Sequence, residues 1–214
     1  MAGWIRRCWD ISDNVACLKG IEGSIIIVPL GYTLKNSGAL PDASLKTLLK
    51  VAEISEMIPE SKIFFVPANV LGPEAQETEA RLRIVLLEKE GIPLDKIICV
   101  KEGVSSTFGE ARAALSYVQS ISSNEKDDLR RYGRHISLVV IADWPHARRA
   151  KKIFKLVFRK KNGVRIFVMS VEGEWNGNHP SVKSSRSWLI GNFLHYLAVC
   201  VLGERADRLQ HKYK

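Results

Sequence analysis

The sequence predicts an α/β fold in which an open parallel sheet of about five strands has helices on both faces, giving three layers. Short β-branched runs alternate with longer stretches of helical periodicity, which is the pattern of repeated βαβ units with right-handed crossovers. The strand segments lack polar alternation, as is typical of a parallel sheet buried on both faces. The 214 residues are 46% hydrophobic and 26% charged, a composition that fits one globular domain and not a disordered or fibrous chain.

Five short segments are predicted as strands because apolar and β-branched residues are concentrated in them. They are Ser24–Leu30, Lys62–Pro67, Lys96–Val100, Ile136–Ala142 and Arg165–Val171. Helical periodicity marks four segments between them, at Pro41–Ile58, Glu74–Gly91, Thr107–Ser120 and Pro145–Lys160. Pro73 and Pro145 are expected in first helical turns, where the missing N–H has no partner to lose. Gly91 is expected to end its helix.

The remaining segments extend this core within a single domain that takes in all 214 residues. Residues 1–22 are an ambiguous N-terminal extension, and one interpretation packs them as a helix against an edge of the 24–171 core. Ser122–Arg134 is predicted as a polar loop or a short helix, and Glu172–Arg186 as a long polar loop. A C-terminal helix is predicted over 186–203.

The C-terminal apolar segment is too short for a predicted membrane span. Ser187–Gly203 has 17 residues, among them Asn192 and His195, whereas a spanning helix needs about 20 mostly apolar residues. It is interpreted as a buried or docking helix. The N-terminus shows no secretion signal.

The cysteines indicate a reduced protein. Four of them lie far apart without a CxxC pair, which argues against a disulfide scaffold and a structural zinc site. They are Cys8, Cys17, Cys99 and Cys200. These observations together predict a soluble, cytoplasmic protein.

The basic excess of the chain is concentrated in one helix. The chain has 32 Lys and Arg against 23 Asp and Glu. Nine basic and no acidic residues lie between Trp144 and Arg165, so the rest of the chain is balanced. One interpretation is a solvated helix face. A second is a surface over 145–161 for nucleic acid or acidic lipid headgroups, and a third is a site for an acidic protein partner.

A ligand site is expected beyond the carboxyl ends of the strands, near the topological switch point of the sheet. The segments there begin at Gly31, at Ala68-Asn69, at Glu102 and at Asp143, and a fifth is the Trp175–His179 loop. The helices that start at Thr107 and Pro145 would point their positive ends into the same crevice. The crevice is therefore predicted to favour an anion.

The side chains of this crevice suggest acid–base chemistry or anion binding. His146 beside Asp143 is a candidate proton-transfer residue, and Arg149 a candidate clamp for a phosphate or carboxylate. Glu79, one turn into its helix, is a second acid–base group, an acceptor for a ribose hydroxyl or a dipole-favoured carboxylate. Thr107 and Glu110 match a capping box, in which each side chain bonds an amide at the helix start.

Other features of the sequence narrow these possibilities. Asn69 is either a ligand contact or a simple turn residue. GxGxxG, GxxxxGK[ST], GxSxG and HExxH are absent, which argues against typical dehydrogenases, NTPases, serine hydrolases and zinc proteases. No spacing supports a metal site.

The order of these motifs resembles the SanA/ElyC/YdcF-like family. The likeness runs from about Ser24 to Phe154, with a weaker likeness in the C-terminal helix. Glu79-Ala80 resembles the family's acidic-alanine pair at a helix start, and Thr107 the threonine that opens the next helix. Asp143 to Ala150 resembles the family segment in which a histidine precedes Arg-Ala by three residues.

The resemblance implies a Rossmann-like domain with a pocket at the strand ends, and a nucleotide-like ligand such as S-adenosylmethionine. It also implies a link to envelope metabolism. The leading hypothesis is therefore a small anionic ligand, with His146 and Glu79 as the catalytic pair of a transferase or hydrolase. The rival hypothesis is a non-catalytic interaction protein that uses the basic helix. The candidate ligand contacts are Gly31, Ala68, Asn69, Ser106, Thr107, Glu110, Asp143 and Arg149.

Overall fold

The computed structural model describes residues 13, 15–18, 20–21, 23–31, 34–35, 37–69, 71–124, 135–172 and 185–206. Within these ranges the strands are β1 (Gly23–Pro29), β2 (Lys62–Phe65), β3 (Ile97–Cys99), β4 (His135–Asp143) and β5 (Val164–Val171). The α-helices are α1 (Asp42–Met57), α2 (Pro73–Lys89), α3 (Thr107–Asn124), α4 (Trp144–Val157) and α5 (Ser185–Leu202). Short 3-10 turns lie at Val15–Leu18 and Leu94–Lys96.

The five described strands form one all-parallel sheet in the order β3-β2-β1-β4-β5. The first strand pairs with β4 along its whole length, with Ile26 opposite Leu138. This order confirms the predicted open α/β, Rossmann-like sheet. It also places the topological switch point between β1 and β4, where successive connections leave in opposite directions.

Two apolar layers cover the sheet, which explains strands without polar alternation. In β4, Leu138 and Val140 face the layer that contains Phe154 of α4 and Val199 of α5. Their neighbours Val139 and Ile141 face the opposite layer, which holds side chains of α1 and α2. Successive strand residues point to opposite faces, so a central strand here buries both of its faces, as the apolar run 138–142 of β4 does.

The helix ends follow the predicted punctuation. Pro73 and Pro145 lie in the first turns of α2 and α4. Gly91 follows the end of α2 with a φ of +82°, and Ile92 N donates to Leu87 O at 3.0 Å. Only glycine adopts this left-handed conformation without strain, so the chain turns there toward β3.

The segments outside the core are partly described. Residues 122–124 form the last turn of α3, whereas 125–134 and 173–184 lie outside the described residues. Near the N-terminus, Asp13 bridges to the edge strand β5: its N–H donates to Val168 O, and its carboxylate accepts from Val168 N, both at 2.7 Å. Lys151 of α4 donates to the same carboxylate at 2.9 Å.

The C-terminal helix has one buried and one exposed face. Val199 and Asn192 are buried, whereas Ile190 and Val201 are exposed. Across the described ranges, no helix combines the length and apolar character that crossing a membrane requires.

Candidate functional site

The loops that follow β2 and β3 lie side by side at the carboxyl edge of the sheet. Ala68 and Val104 form an isolated parallel bridge. Asn69 N donates to Val104 O at 2.9 Å, and Val104 N donates to Pro67 O at 3.0 Å. This short extension of strand pairing fixes both loops, and it positions the start of α3 next to Asn69.

Side chains of the protein itself fill the switch point between β1 and β4. The N–H of Gly31, just after β1, donates to Oε1 of Glu110 at 2.6 Å. A Cβ on Gly31 would lie 3.3 Å from Nη1 of Arg83 and 3.4 Å from the same Glu110 oxygen. The close approach of these two side chains leaves room for glycine and little more.

Arg83 is the centre of this buried cluster. It is 1% exposed, and its Nη1 lies 3.3 Å from Oε1 of Glu79. Its Nη2 donates to Pro29 O at 2.9 Å, and the guanidinium stacks over the Phe65 ring at 4.5 Å from the centroid. Arg83 therefore ties α2 to the end of β1.

Glu79 connects the same arginine to the loop after β2. Its Oε2 accepts from the N–H of Ala68 at 3.0 Å, and its side chain is buried. Burial raises the pKa of Glu79 above its usual value, although Arg83 and the Ala68 N–H act in the opposite direction. Glu79 therefore has partners within the chain at both of its oxygens.

Glu110 is a second buried carboxyl group on the other side of Gly31. Burial raises its pKa from 4.5 to about 7, against the stabilising effects of the Gly31 N–H and Arg83. Glu79 contributes to the rise because two carboxylates repel each other. Glu110 consequently changes its protonation near neutral pH.

The predicted capping box is wrong. Ser106 Oγ accepts from the N–H of Gly109 at 3.2 Å, so Ser106 caps α3 and Thr107 is its first residue. The Thr107 hydroxyl bonds His146, and the Glu110 carboxylate bonds Gly31. Partners from distant parts of the chain have replaced the local bonds that the sequence pattern suggested.

His146 joins the starts of α3 and α4. Its Nε2 is hydrogen-bonded to the Thr107 hydroxyl at 2.9 Å, and its Nδ1 lies 3.7 Å from Oδ1 of Asp143. The facing carboxylate favours a proton on Nδ1, and in that tautomer Thr107 donates to Nε2. Burial, followed by the charge of Arg149 and by His195, lowers the pKa of His146 well below 6.5.

A neutral imidazole between a hydroxyl and a carboxylate is the arrangement that can accept a hydroxyl proton. Here it is almost closed to solvent, because His146 is 7% exposed. Joining the starts of α3 and α4 is by itself a sufficient explanation for this arrangement.

Arg149 extends this cluster to the C-terminal helix. Its Nη1 lies 2.9 Å from Nδ1 of His195 in α5. The positive charge of Arg149 also acts on Glu110 and on His146. In the sequence, His195 stands out only as a polar residue in an apolar helix, and no pattern indicates this contact.

A shallow depression of about 240 Å³ opens at the start of α3. The polar groups around it are the side chains of an asparagine, two serines and an arginine, together with backbone at two glycines. Its lining residues are Asn69, Gly103, Val104, Ser105, Ser106, Gly109 and Arg112. Asn69 and Ser106 were predicted as ligand contacts, whereas Arg112 was missed, although it lies one and a half turns into α3.

The structure thus divides the predicted site residues into three neighbouring groups at one edge of the sheet. The depression contains Asn69 and Ser106. The Arg83 cluster contains Gly31, Ala68, Glu79 and Glu110, and the His146 cluster contains Thr107, Asp143 and Arg149. The predicted loop at Trp175–His179 lies outside the described residues.

Arg83 itself is not among the predicted site residues. Its signal was the spacing Glu79-x-x-x-Arg83, which places opposite charges one helical turn apart. Among the described residues, no group of three His, Cys, Asp or Glu side chains is arranged to hold a metal ion.

Comparison of the chain with protein-family models, with curated proteins and with solved structures gives no match. The parallel sheet and its flanking helices define the class as a Rossmann-like α/β fold.

Proposed function

We propose that this protein binds a small anionic ligand, with a phosphate or carboxylate group, in the depression at the start of α3. The observation that carries the proposal is the meeting of three kinds of anion-binding group there. These are the N-terminal amides of an 18-residue helix, the serine residues 105 and 106, and the arginine at position 112. Helix N-termini favour negative charge, and a guanidinium binds phosphate and carboxylate in a forked geometry.

The buried carboxylates favour the depression, and not the switch point, as the place where the ligand binds. The N–H groups of Gly31 and Ala68, which were predicted to contact the ligand, donate to Glu110 and Glu79. A ligand anion at those amides would have to displace a carboxylate of the protein. At the start of α3, by contrast, the Gly109 N–H donates to the neutral Ser106 hydroxyl, so no carboxylate of the protein is bound to that amide.

The size of the depression limits what it encloses. Pockets for drug-sized ligands measure about 300–1,000 Å³, whereas this one measures about 240 Å³. The depression therefore suits the anionic group of a ligand. The remainder of a nucleotide or of S-adenosylmethionine would extend along the carboxyl edge of the sheet, toward Asn69 and the loop after β2.

A thermal-shift and calorimetric titration tests the proposal. The panel is inorganic phosphate, AMP, ATP, glucose 6-phosphate and S-adenosylmethionine. A ligand present at 100 times its Kd adds about 2.7 kcal/mol to the free energy of unfolding. That corresponds to a rise in Tm of about 5–10 °C for a domain of this size.

Two arginine variants form the matched pair for this test. Arg112→Gln removes the guanidinium at the depression, and Arg81→Gln removes an exposed one on α2. We expect Arg112→Gln to weaken binding by at least tenfold and Arg81→Gln to leave it unchanged. Absence of binding across the panel, or equal effects of the two variants, would contradict the proposal.

The catalytic roles predicted for His146 and Glu79 are a separate hypothesis. If a bound ligand is turned over, loss of turnover with unchanged affinity in His146→Gln supports proton transfer by His146. Equal losses of affinity and of stability place His146 among the residues that only hold the two helix starts together.

A further inference from the structure

We propose that the outward face formed by α4 and α5 binds the surface of an anionic lipid bilayer. This α4–α5 face combines a basic row, on α4 and the turn that follows it, with an apolar stripe on α5. The basic row is Arg148, Lys152, Lys155 and Arg159, and the apolar stripe is Ile190, Phe193, Leu194, Leu197 and Val201.

The apolar stripe is a continuous surface along α5. Its members follow the spacing i, i+3, i+4, i+7 and i+11, which puts them on one side of a helix. The exposed fractions are large for apolar side chains, at 57% for Ile190, 56% for Leu194 and 81% for Val201. Single exposed apolar residues are ordinary, but a contiguous stripe of five marks an interaction surface.

The stripe points away from the protein. Val199 and Asn192, which are buried, lie on the opposite side of α5. Val199 packs in the same apolar layer as Phe154 of α4. The structure of α5 therefore divides into an inner face that belongs to the core and an outer apolar face.

The basic row points away from the sheet in the same manner. In α4, Ala150, Ile153 and Phe154 are buried against the sheet. The row at 148, 152 and 155 follows helical spacing on the other side of α4, and Arg159 follows two residues after the helix ends. Lys155 and Arg159 are exposed, whereas Arg148 and Lys152 are half-buried. No acidic residue interrupts the sequence between Trp144 and Arg165.

The two rows adjoin each other because α5 packs against α4. Arg149 contacts His195 at 2.9 Å, and Arg159 lies 3.9 Å from Glu204 just beyond α5. The contact at the lower residue number in the α4 segment is also the one at the lower residue number in the α5 segment. The basic row and the apolar stripe are therefore neighbours, and each lies on the side of its helix opposite the buried residues.

An anionic bilayer fits both halves of this face. Acidic headgroups attract Lys and Arg, while Leu, Ile, Phe and Val side chains enter the boundary between headgroups and acyl chains. Nucleic acid would satisfy the basic row and leave the apolar stripe in water. A second copy of the chain would bring two basic rows close together, which is electrostatically unfavourable.

Co-sedimentation with vesicles tests the proposal. The full chain is mixed with vesicles of phosphatidylcholine alone, or of phosphatidylcholine with 30% phosphatidylglycerol, at 50 and at 500 mM NaCl. We expect binding to the anionic vesicles at low salt, and a large loss of binding at high salt because the headgroup charge is screened.

Two double variants and their controls assign the binding to this face. Lys152→Gln with Lys155→Gln should lower partitioning by about 25-fold, since each basic residue near an anionic surface contributes about fivefold. Its control is Lys89→Gln with Lys101→Gln, two exposed lysines away from this face, and it should bind like the wild type.

Leu194→Ser with Leu197→Ser should lower partitioning by at least tenfold, because their apolar surface no longer leaves water. The control Leu49→Ser removes an exposed leucine from α1, on the opposite face of the sheet. Circular dichroism of every variant checks that the fold is retained.

Several outcomes would overturn the proposal. Equal binding to neutral and anionic vesicles, or no binding to either, rules out an anionic bilayer as the occupant. Binding to a short RNA that survives the leucine changes would instead assign the basic row to nucleic acid. A dimer seen by light scattering and lost in the leucine variant would assign the stripe to a second copy.

Discussion

Glu110→Gln removes an ionisable group from the switch point and keeps an acceptor for the Gly31 N–H. In the folded protein, burial raises the pKa of Glu110 to about 7, whereas its ordinary value is 4.5. Between these two values the folded state holds a proton that the unfolded state has released. The free energy of unfolding therefore falls as pH rises through this interval.

The magnitude follows from the difference between the two pKa values. A pKa of about 7 against 4.5 corresponds to about 3 kcal/mol of stability, present below pH 4.5 and lost by about pH 7. The variant has no such loss. We therefore expect its stability relative to the wild type to rise by about 3 kcal/mol between pH 4.5 and pH 8.

Urea denaturation followed by tryptophan fluorescence at pH 4.5, 6, 7 and 8 measures this difference. The lowered pKa of His146 destabilises both proteins as pH falls below 6.5, so its effect cancels in the comparison. Glu88→Gln, an exposed carboxylate on α2, serves as the control and should differ from the wild type by less than about 0.5 kcal/mol at every pH. Parallel profiles for wild type and Glu110→Gln would refute the argument from burial.

Three further substitutions test the buried clusters, each by chemical denaturation at pH 7. Arg83→Met should lower the free energy of unfolding by about 3–5 kcal/mol, because it leaves the Glu79 carboxylate buried without its cation. Adding Glu79→Gln should recover part of that loss. If the effects of the two substitutions are additive instead, the pairing is contradicted. Thr107→Val should lower the free energy of unfolding by about 1–3 kcal/mol, because His146 loses its hydroxyl partner. Thr107→Ser keeps a hydroxyl and should retain most of the wild-type stability. Gly31→Ala should lower the free energy of unfolding by about 1–3 kcal/mol, because the added methyl group crowds the Arg83 side chain. An unchanged stability would show that the cluster rearranges without cost.

Much of the fold was predictable because its signals are local. Runs of apolar β-branched residues placed all five strands within one or two residues of their observed ends. The prolines at 73 and 145 and the glycine at 91 marked helix ends for reasons that operate within one turn of chain. The parallel arrangement followed from the alternation of strands and helices.

The site was less predictable because its bonds join distant residues. Glu110 and Gly31 are 79 positions apart, and Thr107 and His146 are 39 apart. The capping-box pattern was present in the sequence, yet these distant partners took both of its side chains. Arg83 escaped notice because an i, i+4 charge pair usually lies on a solvated helix surface.

The pairing of β1 with β4 has a consequence for how the protein folds. The strand in the middle of the sheet finds its longest partner 112 positions further along the chain, as Ile26 opposite Leu138 shows. Such non-local pairing slows folding, because a long loop must close, at a cost in chain entropy, before the stabilising contacts can form. During synthesis, one edge of β1 would remain unpaired for several seconds while the ribosome completes the intervening segment at about 5–20 residues per second. An exposed edge of isoleucine and valine invites pairing with another chain, so nascent-chain aggregation should be most acute just before β4 emerges.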